Sequence, residues 1–256
     1  MVTPQPKLTA LKDRIHQARL VYTDCAKALR TRSAVSGFGA KESEQVVGFG
    51  IAITWLRRAA ALETLGFAPK LKLLIRRAAG PSELTRFTFM WTAANALFAR
   101  PAILQVLNPT AGSLKGELPK FRVLFKHSAI PPSDETKYTT DVHKILDKAV
   151  NIRNFPWLTH VTRPTLLQVI YYKYTTDSEK GRSIGKTIFA ATQTRNYKDL
   201  DLPTLIYATR NWNTHGALIE SSFRGTEARF LSYISTINAA LADVLHGAGK
   251  AILGHL

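Results

Sequence analysis

Apolar residues recur at intervals of three and four along most of the chain, the spacing that lines one face of an α-helix. Leu8, Leu11, Ile15, Ala18, Tyr22, Cys25 and Leu29 form the first such stripe, with Lys7, Lys12, Arg14, Arg19, Lys27 and Arg30 on the other faces. The pattern predicts a long helix docked on its own core. A dimerising coiled coil and a basic helix facing RNA are the alternatives. A loop over 33–40 precedes a second helix, expected from near Ser43 to Leu65 with Gly66 as its stop. Pro69 opens a third, short and basic, which Gly80 and Pro81 end. Ser82 is placed to cap a helix carrying Leu84, Phe87, Trp91, Ala94 and Phe98. Helical spacing returns with Val142, Ile145, Leu146, Ala149 and Ile152. It returns again with Leu166, Leu167, Ile170, Tyr171 and Tyr174, and with Leu202, Leu205, Ile206 and Thr209. A last helix, from about Thr226 to His246, has Phe230, Ile234, Ile237, Leu241, Val244 and Leu245 on one face. The fold class expected is all-α.

Residues 101–133 break the pattern. Pro101, Pro109, Gly112, Gly116, Pro119, Pro131 and Pro132 punctuate them, and only Phe121 to Phe125 suggests a short strand or helical turn. The segment reads as a long connection, of a kind often functional or mobile. The organisation expected is a basic helical extension over 1–80, then a helical domain over 81–256 containing that loop.

Hydrophobic residues make up 45% of 256, which rules out global disorder. The formal charge is +17. Basic residues outnumber acidic ones by 14 to 5 in residues 1–80 and by 21 to 13 beyond. Such an excess steers polyanions to the surface, and nucleic acid is the first candidate, a membrane surface the second. Cations clustered along the chain mark where phosphates would sit: Arg57 and Arg58, Arg76 and Arg77, Lys115, Lys120, Arg122 and Lys126, then Arg182 and Lys186. Cys25 is the single cysteine, so no internal disulfide and no thiolate metal site can form. That usage and the lack of a signal-peptide pattern fit a cytoplasmic protein. The longest apolar stretch, Val46 to Leu56, is 11 residues and too short to span a bilayer. The run GRSIGKT at 181–187 is not a phosphate loop, because three residues rather than four separate its first glycine from Gly-Lys-Thr.

The segment from Leu202 to Ser222 carries the chemistry. Asp201 can cap its start, and Pro203 suits a first turn, where a missing N–H costs little. Within it stand Arg210, Asn211 and His215, beside Gly216. Asn211 and His215, four apart, share a face. Arg210 and His215, five apart, lie about 140° round the axis and roughly 7.5 Å along it, so one straight helix does not aim both at a single atom. A second helix, or a second copy of the chain, could complete such a site.

Arg-Asn-x-x-x-His followed by glycine in a late helix resembles the Arg-x4-6-His motif of the HEPN superfamily, small all-helical domains that include metal-independent endoribonucleases. Trp91, Ala93, Asn95, Ala96 and Leu97 resemble the first core helix of larger members. The resemblance implies a HEPN-like helical bundle with an N-terminal helical extension. It also implies RNA as partner, a homodimer with the motif at its cleft, no metal and no other cofactor. An antitoxin or other regulatory protein would be a further partner. Histidine titrates near neutrality and can move a proton, and arginine offers a planar fork to phosphoryl oxygens. His215 would then be the proton-transfer residue, Arg210 the phosphate clamp and Asn211 an orienting group. Attack by the 2′-hydroxyl would leave a 2′,3′-cyclic phosphate and a 5′-hydroxyl. The rival expectations are a non-catalytic RNA-binding or scaffolding helical protein and a membrane-surface or protein-interaction module.

Overall fold

The computed structural model describes residues 6–62, 79–147, 165–167, 200–214 and 227–256. Among them every extended element is a helix. The chain divides into two compact units, one of residues 1–132 with 238–256, the other of residues 133–237.

The first unit opens with α1 (Pro6–Ser36) and α2 (Ala40–Ala61). The stripe forms as expected: Leu11, Ile15, Ala18, Tyr22, Cys25 and Leu29 are all buried. α1 runs further than the sequence suggests, into the expected loop. Gly37, at φ 81°, then stops it and donates its N–H to Ser33 O at 2.8 Å, the left-handed cap that glycine adopts without penalty. α2 begins three residues early and turns out of helix at Leu62.

The expected loop over 101–133 is instead mostly helical. α3 (Ala79–Phe98) leads into α4 (Pro101–Leu107), a 3₁₀ turn (Pro109–Ser113) and α5 (Glu117–Lys126). The prolines start these elements rather than break them, standing in first turns where no intrahelical N–H is needed. Pieces of this length show too few turns for periodicity to register. α5 also settles the strand-or-turn alternative, since Phe121 and Leu124 are fully buried helix residues. Phe121 packs on Trp91 at 5.0 Å and Phe98 at 6.0 Å between ring centroids, making an aromatic centre with α3.

α6 (Pro132–Leu146), α7 (Leu202–Thr214) and the start of α8 (Glu227–His255) supply the described helices of the second unit. From Asn238 onward α8 belongs to the first. The last helix, expected to end near His246, runs on through the glycine-rich end to His255. Its glycines sit where backbones meet. A Cβ on Gly247 would stand 1.6 Å from Ser128 O, and one on Gly249 would stand 2.9 Å from Val21 Cγ1. Tyr22 OH donates to Leu245 O at 2.7 Å, and Cys25 Sγ to Gly249 O at 3.6 Å. Burial pushes the Cys25 thiol up to about 12, so it is a core residue and not a nucleophile.

A buried polar knot ties α2, α3 and α8 together. Arg86, 1% exposed, donates to Glu83 Oε1 at 3.1 Å, to Leu62 O at 2.8 Å and to Ala59 O. It thereby donates to a carbonyl in the last turn of α2 and to that of the C-cap residue, groups a helix end leaves without intrahelical partners. Asn238 Nδ2 donates to Glu83 O at 2.9 Å and Glu83 Oε2 at 2.8 Å. Asn95, whose apolar surroundings in the sequence suggest an amide that ties its helix to a neighbouring backbone, is half-buried; Asn238 supplies the buried amide of this knot.

Candidate functional site

α7 carries the Arg-Asn motif, and its local construction follows the sequence. Asp201 Oδ1 accepts from Thr204 N at 3.1 Å and from the Thr204 hydroxyl. That side chain satisfies one of the four N–H groups a helix start leaves open. Leu202, Leu205, Ile206 and Ala208 are completely buried and anchor the helix by an apolar face. Thr209 is buried too. Its hydroxyl donates to Leu205 O at 2.9 Å, so the Tyr233 hydroxyl, 2.5 Å away, is left as the donor in their bond.

Arg210 and Asn211 follow on the next turn. Arg210 is half-buried and Asn211 only 9% exposed. Arg210 Nη1 donates to Asn211 Oδ1 at 2.7 Å. The amide oxygen is thus engaged with the neighbouring guanidinium. Asn211 thereby tethers Arg210 through its side-chain oxygen. His215 lies outside the described residues, as do Arg76, Arg77, Arg182 and Lys186.

Two further contacts brace this unit. His143 Nε2 donates to Leu200 O at 3.1 Å, just ahead of the Asp201 cap. Burial lowers the His143 pKa, with Leu200 O and Asp147 acting the other way. Arg229 Nη2 donates to Ile145 O at 3.1 Å, joining α8 to the end of α6.

The remaining cations belong to the first unit. Arg57 and Arg58 are exposed on α2, and the Arg58 guanidinium carbon sits 4.5 Å from the Trp55 ring centroid. Lys115 is exposed just before α5; Arg122 and Lys126 are exposed on it, and Lys120 is half-buried. The sequence reading missed the Trp55–Arg58 contact, although Trp-x-x-Arg within a helix is a spacing that brings side chains together. It also missed the Glu83–Arg86 pair, which has the same spacing.

Among the described residues no group of three or more His, Cys, Asp or Glu side chains could hold a metal ion. None of their helices is long and apolar enough to cross a membrane. Compared with known protein families, curated proteins and solved structures, the chain matches none.

Proposed function

We propose that the protein binds RNA over its cationic surface and cleaves it without metal, through Arg210, Asn211 and His215 of a HEPN-like site. The observation that carries this reading is the Arg210–Asn211 bond of 2.7 Å on a helix anchored by the Asp201 cap and a buried apolar face. A guanidinium tethered to a nearly buried amide is oriented before substrate arrives, the condition under which a cation best stabilises developing phosphoryl charge. His215, four residues beyond Asn211, supplies the group that titrates near neutrality. The 2′-oxygen attacks phosphorus as its proton passes to a base, and the bond from phosphorus to the 5′-oxygen breaks. That oxygen takes a proton, leaving a 2′,3′-cyclic phosphate and a 5′-hydroxyl. In a homodimer the two copies of His215 divide these proton transfers. This also answers the divergence of Arg210 and His215 around a single helix axis.

A second reading has its own observation. The exposed cations Arg57, Arg58, Lys115, Arg122 and Lys126 suffice for phosphate binding without any reacting group, as in an RNA-binding scaffold. Single-turnover cleavage of labelled RNA in EDTA separates the two. His215→Ala and Arg210→Ala should each slow cleavage by about 10²–10⁴, the usual worth of a positioned proton-transfer or charge-stabilising group. His215→Ala should leave binding nearly unchanged, because affinity comes mainly from many phosphate contacts. Cleavage by His215→Ala at the wild-type rate sinks the site. Salt-sensitive binding by a wild type that cleaves no RNA favours the scaffold.

A further inference from the structure

The outward side of α2 and α3 carries a short row of aromatic and cationic groups. Phe89 and Trp55 are half-buried, with ring centroids 5.2 Å apart and planes at 43°. Arg58, exposed, continues the row with its guanidinium carbon over the Trp55 ring, 4.5 Å from the centroid. That distance is within the range where the ring quadrupole attracts the cation. Arg57 is exposed beside it.

Among the described residues no carboxylate offsets the charge here. No acidic residue occurs in α2 after Glu44, and the one acidic residue of α3, Glu83, is buried against Arg86 and Asn238. No described residue forms an ion pair with Arg57 or Arg58. Their spacing leads back along α2 from Trp55 to Ile51 and Val47, in steps of four that share a helix face. Val47 is 53% exposed.

We propose that Phe89, Trp55 and Arg58 form a platform for an unpaired base of single-stranded RNA. The base stacks on the outer face of the Arg58 guanidinium, and Arg57 contacts the adjoining phosphate. The proposal rests on the RNA-binding part of the function above and names the strand form that this surface takes. Paired bases hide their faces inside a duplex, whereas unpaired ones stack on aromatic rings and guanidinium planes. A polyanion suits two adjacent arginines that pair with no described carboxylate on a chain of charge +17. A protein partner would have to supply the missing acids.

The test measures binding of the full chain to a 2′-O-methyl oligoadenylate, which has no 2′-hydroxyl to react, and to a duplex of equal length, across a salt series. Trp55→Leu and Arg58→Lys should weaken single-strand binding on the order of tenfold or more. Both should leave duplex binding and the salt slope near wild type. Arg57→Gln should weaken both ligands and reduce the slope by about one unit. Arg58→Lys keeps the charge at an exposed position, so it decides the matter even if Trp55→Leu proves poorly folded by circular dichroism. Single-strand affinity unchanged in Arg58→Lys overturns the platform. So does a drop in sedimenting mass of either variant with RNA affinity intact, which would assign the face to self-association. A wild type that binds neither ligand overturns the RNA reading itself. Loss of the cleavage mechanism alone leaves the platform standing.

Discussion

Replacing Arg86 by methionine should be among the most damaging single changes in the first unit. Arg86 is 1% exposed and its partner Glu83 only 7%. In the variant the Glu83 carboxylate keeps the Asn238 amide as a donor but loses its cation. The Ala59 and Leu62 carbonyls lose the guanidinium that satisfied them. Leaving one charge of a buried pair without its partner costs about 3–5 kcal/mol. Each orphaned carbonyl adds about 1–3 kcal/mol when it cannot reach water. These contributions overlap, so about 3–5 kcal/mol is the working figure for the whole change. Against a domain stability of about 5–15 kcal/mol that is a large share. Urea unfolding followed by circular dichroism reads it as a lower midpoint at constant slope. The double variant Glu83→Leu, Arg86→Met provides the internal control. Removing both charges should recover part of the loss, because no buried carboxylate is left alone. An Arg86→Met protein within about 1 kcal/mol of wild type, or a double variant as unstable as the two single effects added, would refute the reasoning.

Gly50 of α2 and Gly247 of α8 should respond to alanine in opposite directions. Gly50→Ala meets nothing within 4 Å and should stabilise by about 0.4–1 kcal/mol through a less flexible unfolded chain. Gly247→Ala drives a methyl onto the Ser128 carbonyl and should destabilise by about 1–3 kcal/mol; thermal melts of the pair check both signs. Stability should also fall on mild acidification. Burial lowers the pKa of His127, His143 and His246 below the ordinary value of 6.5. Below pH 6.5 the unfolded chain therefore binds more protons than the folded one, so stability drops as pH falls toward the lowered folded values. Urea midpoints that stay level or rise between about pH 7.5 and 5.5, at fixed ionic strength, would count against it.

The motif is legible in the sequence because it is written in neighbouring letters. Asp201, Pro203 and the apolar residues that follow specify a capped helix by rules that act within one turn. Arg210 and Asn211 are adjacent, so their meeting needs no other part of the chain. Which atom Asn211 engages is not legible there. Its amide has donors and an acceptor, and only the placed guanidinium selects the acceptor.

Local order determined the rest of what the sequence alone determined: a helical fold, the buried stripe of α1 and the surplus of positive charge. A spacing of three and four needs only the helix itself to bring residues to one side. Tertiary structure decided whatever depends on residues far apart in the chain. Asn238 reaches Glu83 across 155 positions, and that partner turns an ordinary Glu-x-x-Arg pair into a buried knot. Gly247 and Gly249 read as lying beyond the last helix until Ser128 and Val21 approach them. The prolines of 101–133 read as breaks until the short helices they begin are packed on α3. Trp55 and Phe89 came into ring contact only when α2 and α3 lay side by side. Periodicity along a chain shows which side of a helix is apolar, but it carries no record of what that side will touch.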